Sequence, residues 1–186
     1  ASLCELRDVV WRKFGENSRA GDWPTFLGSV ECRPDAFLVR QIRWLAPWSG
    51  GVKLNIDGCS KGNPGVSGGE GILRDSTGSK VFAFSDYFGR CTSLQAEAKA
   101  LLLGLQMCAQ RGFGGNLVVE TDSLMLQRIL LKQCQSPWSI SVEVGKIELL
   151  VEGSCQFVHC YRQADRVADI LANLGATHHQ PVCYVD

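Results

Sequence analysis

Apolar and polar positions divide the chain into segments with different periodicities. From residue 52 to residue 57 apolar residues alternate with polar ones, which is the period-two pattern of a strand with one buried face. Turn residues at 63–65 precede an apolar-rich segment, and turn residues at 75–78 separate it from a second one. The two segments predict a hairpin with arms at 67–74 and 80–88. The later segments predict, in order, a helix at 93–110, a strand at 116–121, helices at 123–132 and 139–151, a strand at 154–159 and a helix at 164–174. This order, strands first and then strands alternating with helices, favours an α/β domain built on a mixed sheet.

Residues 1–49 follow a different pattern. They hold four of the five tryptophans, and glycine and proline interrupt them repeatedly. A short helix fits residues 4–14, and mostly irregular chain follows it. We therefore predict a Trp-rich N-terminal extension at 1–49, a domain at 50–177 and a C-terminal tail at 178–186. The tryptophans of the extension either pack against the domain or stack on nucleic-acid bases, and the sequence leaves both roles open.

Composition narrows the class of protein. The 186 residues are 45% apolar, which is enough for one globular domain with an extension. No window approaches the roughly 18 uninterrupted apolar residues that a membrane-spanning helix needs, which predicts a soluble protein. Nineteen basic and nineteen acidic residues cancel, so binding to nucleic acid would depend on a local patch.

Nine scattered cysteines without CxxC spacing argue against a zinc or redox motif. Reduced, small core cysteines are typical of an intracellular, reducing compartment, and we expect the nucleus or cytoplasm, with an organelle as the alternative. The first residues lack the charged and long apolar segments of a secretory signal.

Two acidic residues stand out against their surroundings. Asp57 ends the first predicted strand before Gly58, where a simple turn residue is the ordinary explanation. Glu97 lies on the same stripe of the 93–110 helix as Leu101 and Cys108, so its carboxylate points toward the sheet. An unpaired charge there is expensive, which calls for either a basic partner or a metal ion.

Later acids allow similar alternatives. Asp122 opens a predicted helix, and N-capping would explain it without any chemistry. Asp165 and Asp169 lie four residues apart on the last predicted helix, a like-charge pair worth about 0.2–0.5 kcal/mol of destabilisation. Either neighbouring arginines or a cation next to Asp169 would relieve it.

Considered together, these acids favour a metal site. Several fall at the C-terminal end of a strand or on a helix that faces it, where open sheets place their sites. Magnesium and manganese prefer carboxylate oxygens, and two such ions roughly 3.5–4 Å apart can assist phosphodiester hydrolysis.

Four segments resemble the signatures of one known family. They are residues 56–65 (IDGCSKGNPG) with 71–74 (GILR), residues 95–98 (QAEA), residues 120–123 (ETDS) and residues 166–172 (RVADILA). In this order, over residues 51–176, they resemble type 1 ribonuclease H, and the wording is similar to plant ribonuclease H-like proteins derived from non-LTR retrotransposons. A related exonuclease or integrase of the same fold matches these segments less well.

The resemblance implies a fold, an activity and a site. The fold is a five-stranded mixed sheet, three antiparallel strands and then two parallel ones, flanked by helices. The activity is a two-metal endonuclease that hydrolyses the RNA strand of an RNA–DNA hybrid with two Mg²⁺ ions, which Mn²⁺ can replace. The implied site comprises the metal-binding acids Asp57, Glu97, Asp122 and Asp169, the catalytic His159 on the loop after the fifth strand, and the substrate-binding residues Gly58, Cys59, Ser60, Asn63 and Gln95. Taken alone, His159 would be an ordinary strand-end histidine.

Three departures from the family pattern keep a second hypothesis open. Asp165 stands where an Asn is usual, residues 132–147 hold only Lys132 and Lys146 in place of a basic protrusion, and residues 1–49 do not resemble a hybrid-binding module. The alternative is a domesticated, catalytically inactive domain that serves as an RNA- or protein-binding subunit of a larger assembly. Its protein partner would dock on residues 1–49.

Overall fold

A six-stranded mixed sheet with helices forms the domain. The computed structural model describes residues 44–151, 155–161 and 182–185. The strands are β1 (Val52–Lys61), β2 (Gly65–Arg74), β3 (Lys80–Cys91), β4 (Leu117–Thr121), β5 (Cys155–His159) and β6 (Val182–Val185). The helices are α1 (Ser93–Gln110), α2 (Leu124–Leu130) and α3 (Ser141–Val151), and a 3₁₀ turn at Trp138–Ile140 precedes α3.

The order of strands across the sheet is β5-β4-β1-β2-β3-β6. Strands β1, β2 and β3 pair antiparallel, and β4 and β5 extend the other side of β1 in parallel. The predicted five-stranded mixed sheet is confirmed. Strand β6 is an addition from the predicted tail and pairs antiparallel with β3. Sequence analysis missed it because four apolar residues are too few to show a period.

Helix α1 packs across the centre of the sheet. Its start is fixed by a capping box, in which Thr92 caps the helix and Gln95 bonds back to the Thr92 amide. Its buried side meets an apolar face of the sheet, and Gly104 lets the helix approach Leu54 closely. The core between them includes Leu54, Ile56, Leu73, Phe82, Phe84, Leu101 and Leu105. The helix that carries Glu97 is therefore held rigidly against the central strands.

Some predicted elements lie outside the described residues. These are the helix at 4–14 with most of the N-terminal extension, and the helix at 164–174 with Asp165 and Asp169. Among the helices that are described, none has the length and apolar character needed to cross a membrane.

Candidate metal centre

Two of the predicted acids lie side by side where the parallel pairing of β1 and β4 ends. The last residues paired between these strands are Ile56 and Thr121, and Asp57 and Asp122 follow them directly. The prediction that Asp57 ends a strand is wrong, because β1 continues to Lys61 by antiparallel pairing with β2. At Asp57, β1 has stopped pairing with β4 but continues to pair with β2.

Helix α1 brings Glu97 to the same place. A Cβ atom added to Gly58 would lie 2.7 Å from the Cα of Glu97, and still closer to the Glu97 amide nitrogen and the carbonyl carbon of Ala96. Gly58 therefore allows the first turns of α1 to lie against β1 beside Asp57. We predicted Gly58 as a substrate contact, and the structure gives it this packing role in addition.

One carboxylate oxygen from each of Asp57, Glu97 and Asp122 falls within 4.8 Å of the others. Asp57 and Glu97 are buried, and Asp122 is half-buried. Burial raises the pKa of the Glu97 carboxyl well above its ordinary value, and the negative charges of Asp57 and Asp122 raise it further. Without a cation, burial and the two neighbouring aspartates therefore oppose the ionisation of Glu97.

The residues present fit a hard divalent cation. Oε2 of Glu97 is buried and has no hydrogen-bond partner among the described residues. A buried carboxylate oxygen in that state is costly unless a ligand satisfies it. A cation would satisfy Oε2 and relieve the repulsion, and three carboxylates without a thiolate suit Mg²⁺ or Mn²⁺.

The ordinary explanation for Asp122 does not hold. The N-cap of α2 is Ser123, whose side chain accepts from the amide of Leu126. Ser123, and not Asp122, is therefore the N-cap residue of α2. The fourth acid that we predicted, Asp169, lies outside the described residues.

His159 lies next to the acid cluster. It is the last residue of β5, in agreement with the predicted strand at 154–159, and does not lie on the loop after that strand, where the resemblance placed it. Its Nε2 is 3.2 Å from the backbone oxygen of Asp122, and its ring contacts Tyr161 edge to face with centroids 5.7 Å apart. The ring of His159 therefore lies against the residue that contributes one of the three clustered carboxylates.

The predicted substrate contacts also hold the edge of the site together. Oδ1 of Asn63 accepts from the Ser93 amide at 2.9 Å, which ties the β1–β2 turn to the start of α1. Gln95 closes the capping box and donates from Nε2 to the Ser139 oxygen at 3.2 Å. The Ser60 hydroxyl donates to the Cys91 oxygen at 2.7 Å.

Cys59 and Glu70 add to the chemistry around Asp57. Burial raises the pKa of the Cys59 thiol, and the charges of Asp57 and Glu70 raise it further, although a hydrogen bond with the Gly68 backbone opposes this. Glu70 is fully buried and is the register partner of Asp57 on β2. Sequence analysis missed Glu70, because its position among the glycines of β2 gives no sign of what its side chain faces.

A comparison with family models decides the classification. Residues 55–175 match the model described as reverse transcriptase-like. The chain belongs to this family. The four segments that resemble ribonuclease H all fall within residues 55–175, and the resemblance to ribonuclease H is confirmed.

A relative of this chain is named as a ribonuclease H protein. The chain is 37% identical over 136 residues to an Arabidopsis thaliana protein named as a ribonuclease H protein, a match that covers 72% of this chain and 22% of the relative. The chain thus spans less than a quarter of that relative's length.

Solved structures of ribonuclease H1 share the fold. The enzyme from the archaeon Halobacterium salinarum superposes with a TM-score of 0.65 at 28% identity, covering 69% of this chain and 98% of that one. LC11-RNase H1 in complex with an RNA/DNA hybrid gives a TM-score of 0.62 at 25% identity, covering 68% of this chain and 96% of that one.

Proposed function

We propose that this protein is a divalent-metal-dependent endonuclease that hydrolyses the RNA strand of RNA–DNA hybrids. The observation that carries the proposal is the cluster of Asp57, Glu97 and Asp122, with a buried Glu97 oxygen that a cation would satisfy. The family and the hybrid-bound structural neighbour support the same reaction.

The acids would hold two Mg²⁺ ions, with Asp169 as the proposed fourth ligand. Bound ions supply a nucleophile from water at neutral pH and stabilise the charge on the departing 3′ oxygen. Asp57 and Glu97 would hold the ions at the close contact of β1 with α1, and half-buried Asp122 would complete the set from the residue after β4. The products would carry a 5′-phosphate and a 3′-hydroxyl.

Other residues would place the hybrid and move protons. Asn63 uses Oδ1 to hold Ser93, so its Nδ2 is the atom that we assign to a 2′-hydroxyl. We assign further contacts with the hybrid to Gln95 and to residues 58–60, which follow Asp57 on β1. Because Nε2 of His159 contacts the Asp122 oxygen, we assign proton exchange to its Nδ1.

The test is cleavage of a strand-labelled RNA–DNA hybrid in millimolar Mg²⁺ or Mn²⁺, beside double-stranded RNA and double-stranded DNA. We expect metal-dependent cutting of the RNA strand of the hybrid alone. No cutting by folded protein with either metal would favour the alternative of a domesticated, inactive domain that binds RNA or a protein, the latter through residues 1–49.

Trp138 is a further proposed substrate contact that sequence analysis did not single out. Its side chain is 89% exposed, and the next residue, Ser139, is bonded to Gln95. An exposed indole beside a nucleic-acid site offers a stacking surface worth about 1–3 kcal/mol per base. This surface would compensate in part for the missing basic protrusion.

Replacing Trp138 with Ala should raise the Kd for the hybrid by about 5-fold or more, since one stacking contact is lost. The turnover rate at saturating substrate should change little, because the acids are untouched. Affinity is measured in Ca²⁺ by fluorescence anisotropy of a labelled hybrid. Leu149→Ala is the matched control, because Leu149 is 75% exposed on the last turns of α3. Equal affinities for both variants would remove Trp138 from the binding surface.

A further inference from the structure

A buried polar cluster links β1, which carries Asp57, to β4, which ends directly before Asp122. Lys53 donates from Nζ to Oε1 of Glu120 at 2.6 Å, and Asn55 donates from Nδ2 to Oε2 of Glu120 at 2.8 Å. Lys53, Asn55 and Glu120, which we name the strand clamp, are all buried. Because side chains alternate along a strand, the clamp lies on the face of β1 opposite to Leu54 and Ile56, which pack in the core.

Residues before β1, together with Arg74 of β2, complete the hydrogen bonding of the strand clamp. Lys53 also donates to the Leu45 backbone oxygen at 2.7 Å. Oδ1 of Asn55 accepts from Nε1 of Trp44 at 3.0 Å and from a guanidinium nitrogen of Arg74 at 3.2 Å. Two cations lie over the ring of Trp44, with Lys53 5.5 Å and Arg74 5.0 Å from the ring centroid. Both oxygens of Glu120 and both polar atoms of Asn55 are therefore engaged.

Stability alone does not explain the strand clamp. Lys53 and Glu120 are only 7% and 8% exposed, so both charges lose most of their hydration. Replacing a buried ion pair by apolar residues of similar volume is often neutral or stabilising, and the best-attested use of such a pair is to fix a register. A role in fixing a register would account for the burial of this ion pair.

The strand clamp lies within the paired segment of β1 and β4. Asn55 is paired directly with Glu120, and Asp57 and Asp122 each follow two residues later in the chain, Asp122 directly after the end of β4. A slip of one residue moves a strand by about 3.3 Å and turns its side chains to the opposite face. The carboxylate oxygens of the site lie within 4.8 Å of one another, so even a fraction of such a slip would open the cluster.

We propose that Lys53, Asn55 and Glu120 are positioning residues that fix the register of β1 against β4 and thereby set the affinity of the site for its divalent cations. This inference rests on the proposed metal site but not on the identity of the nucleic acid. The clamp acts through Asp57 and Asp122 and does not itself contact the ions.

The test replaces the pair by apolar residues in Lys53→Met/Glu120→Leu. The measurements are the Kd for Mn²⁺ by calorimetry without nucleic acid, the thermal midpoint without metal, and the Mg²⁺ concentration at half-maximal cleavage. We expect a folded protein whose Mn²⁺ Kd rises about 10-fold, in the range typical for losing residues that orient metal ligands. The KM for the hybrid should stay within twofold.

The chain offers a matched control in Lys132→Met/Glu148→Leu. This pair joins Glu148 of α3 to Lys132, two residues after the end of α2, at 3.7 Å, with side chains 77% and 46% exposed. Glu148 does not belong to the acid cluster. The control should leave the Mn²⁺ Kd unchanged. An unchanged Kd in the clamp variant, with a thermal midpoint like that of the wild type, would overturn the inference.

A second variant covers the case in which the double replacement does not fold. Glu120→Gln keeps the shape of the side chain and an oxygen for Lys53, but it turns an amide group toward Asn55. We expect the Mn²⁺ Kd to rise about threefold, and an unchanged Kd here overturns the proposal. If the wild type binds Mn²⁺ but cuts no hybrid, the proposed function fails while the clamp is still judged by its Kd values.

Discussion

Replacing Asp57 with Asn should leave a folded protein that no longer cuts RNA–DNA hybrids. Asn keeps the oxygen that accepts from the Gly58 amide at 2.9 Å, so the local backbone is preserved. It removes one of the three carboxylates that would hold the ions. Residues that only orient metal ligands change affinity or activity 10- to 100-fold, so losing a ligand should lower the cleavage rate by more than about 100-fold.

The thermal midpoint separates loss of chemistry from loss of fold. The charge of Asp57 helps to raise the pKa of Glu97. An acid whose pKa is raised by folding stabilises the protein below its unfolded pKa, and that stability falls as the pH rises through the folded pKa. Asp57→Asn weakens this effect, so the metal-free midpoint at neutral pH should equal or exceed that of the wild type.

Asp86→Asn is the matched control. Asp86 lies on β3 and accepts from the Tyr87 amide at 2.8 Å, the same local hydrogen bond that Asp57 makes with Gly58. It belongs to no acid cluster among the described residues. We expect wild-type cleavage from Asp86→Asn, measured with the same labelled hybrid. Hybrid cleavage that survives in Asp57→Asn would refute the assignment of the site.

Local sequence signals were sufficient for α1. Its bounds match the predicted 93–110, because Thr92 and Gln95 form a capping box within four residues and the apolar stripe runs the full length of the helix. The same stripe oriented Glu97 toward the sheet. Periodicity therefore placed one of the three clustered acids by geometry, and the resemblance to the family joined it to the others.

Features that depend on partners far away in the sequence could not be predicted from local patterns. β1 extends past Asp57 because β2 pairs with it as far as Lys61, and the apolar alternation stops before that point. Glu120 looked like an ordinary polar residue of a strand, since its partners Lys53 and Asn55 lie more than 60 residues earlier. Gln95 was assigned to substrate, whereas its bond to Ser139 spans 44 residues.

Replacing Gly58 with Ala should destabilise the domain and disrupt the acid cluster together. The new Cβ would meet backbone atoms of Ala96 and Glu97, which cannot move aside by changing a rotamer. Either β1 or the first turns of α1 must shift. Overpacking of this kind costs about 1–3 kcal/mol and sometimes more, which corresponds to a fall of roughly 2–4 °C in Tm for each kcal/mol in a domain of this size.

The displacement acts directly on the metal site, because the residue pushed away is Glu97 itself. Its carboxylate would move away from Asp57 and Asp122, so the Mn²⁺ Kd should rise about 10-fold or more even at temperatures well below Tm. Calorimetry with Mn²⁺ and thermal denaturation measure the two effects on the same sample. A protein that lost stability alone, with unchanged Mn²⁺ affinity, would show that α1 is not what places Glu97.

The same substitution at Gly145 provides the contrast. Gly145 lies on the exposed side of α3, and an added Cβ would meet nothing within 4 Å. Ala is the better helix former by about 0.8–1.0 kcal/mol, so Gly145→Ala should raise Tm and leave Mn²⁺ affinity unchanged. Opposite changes in Tm from one added methyl group would show that the close contact of β1 with α1, and not glycine replacement in general, holds the acids together.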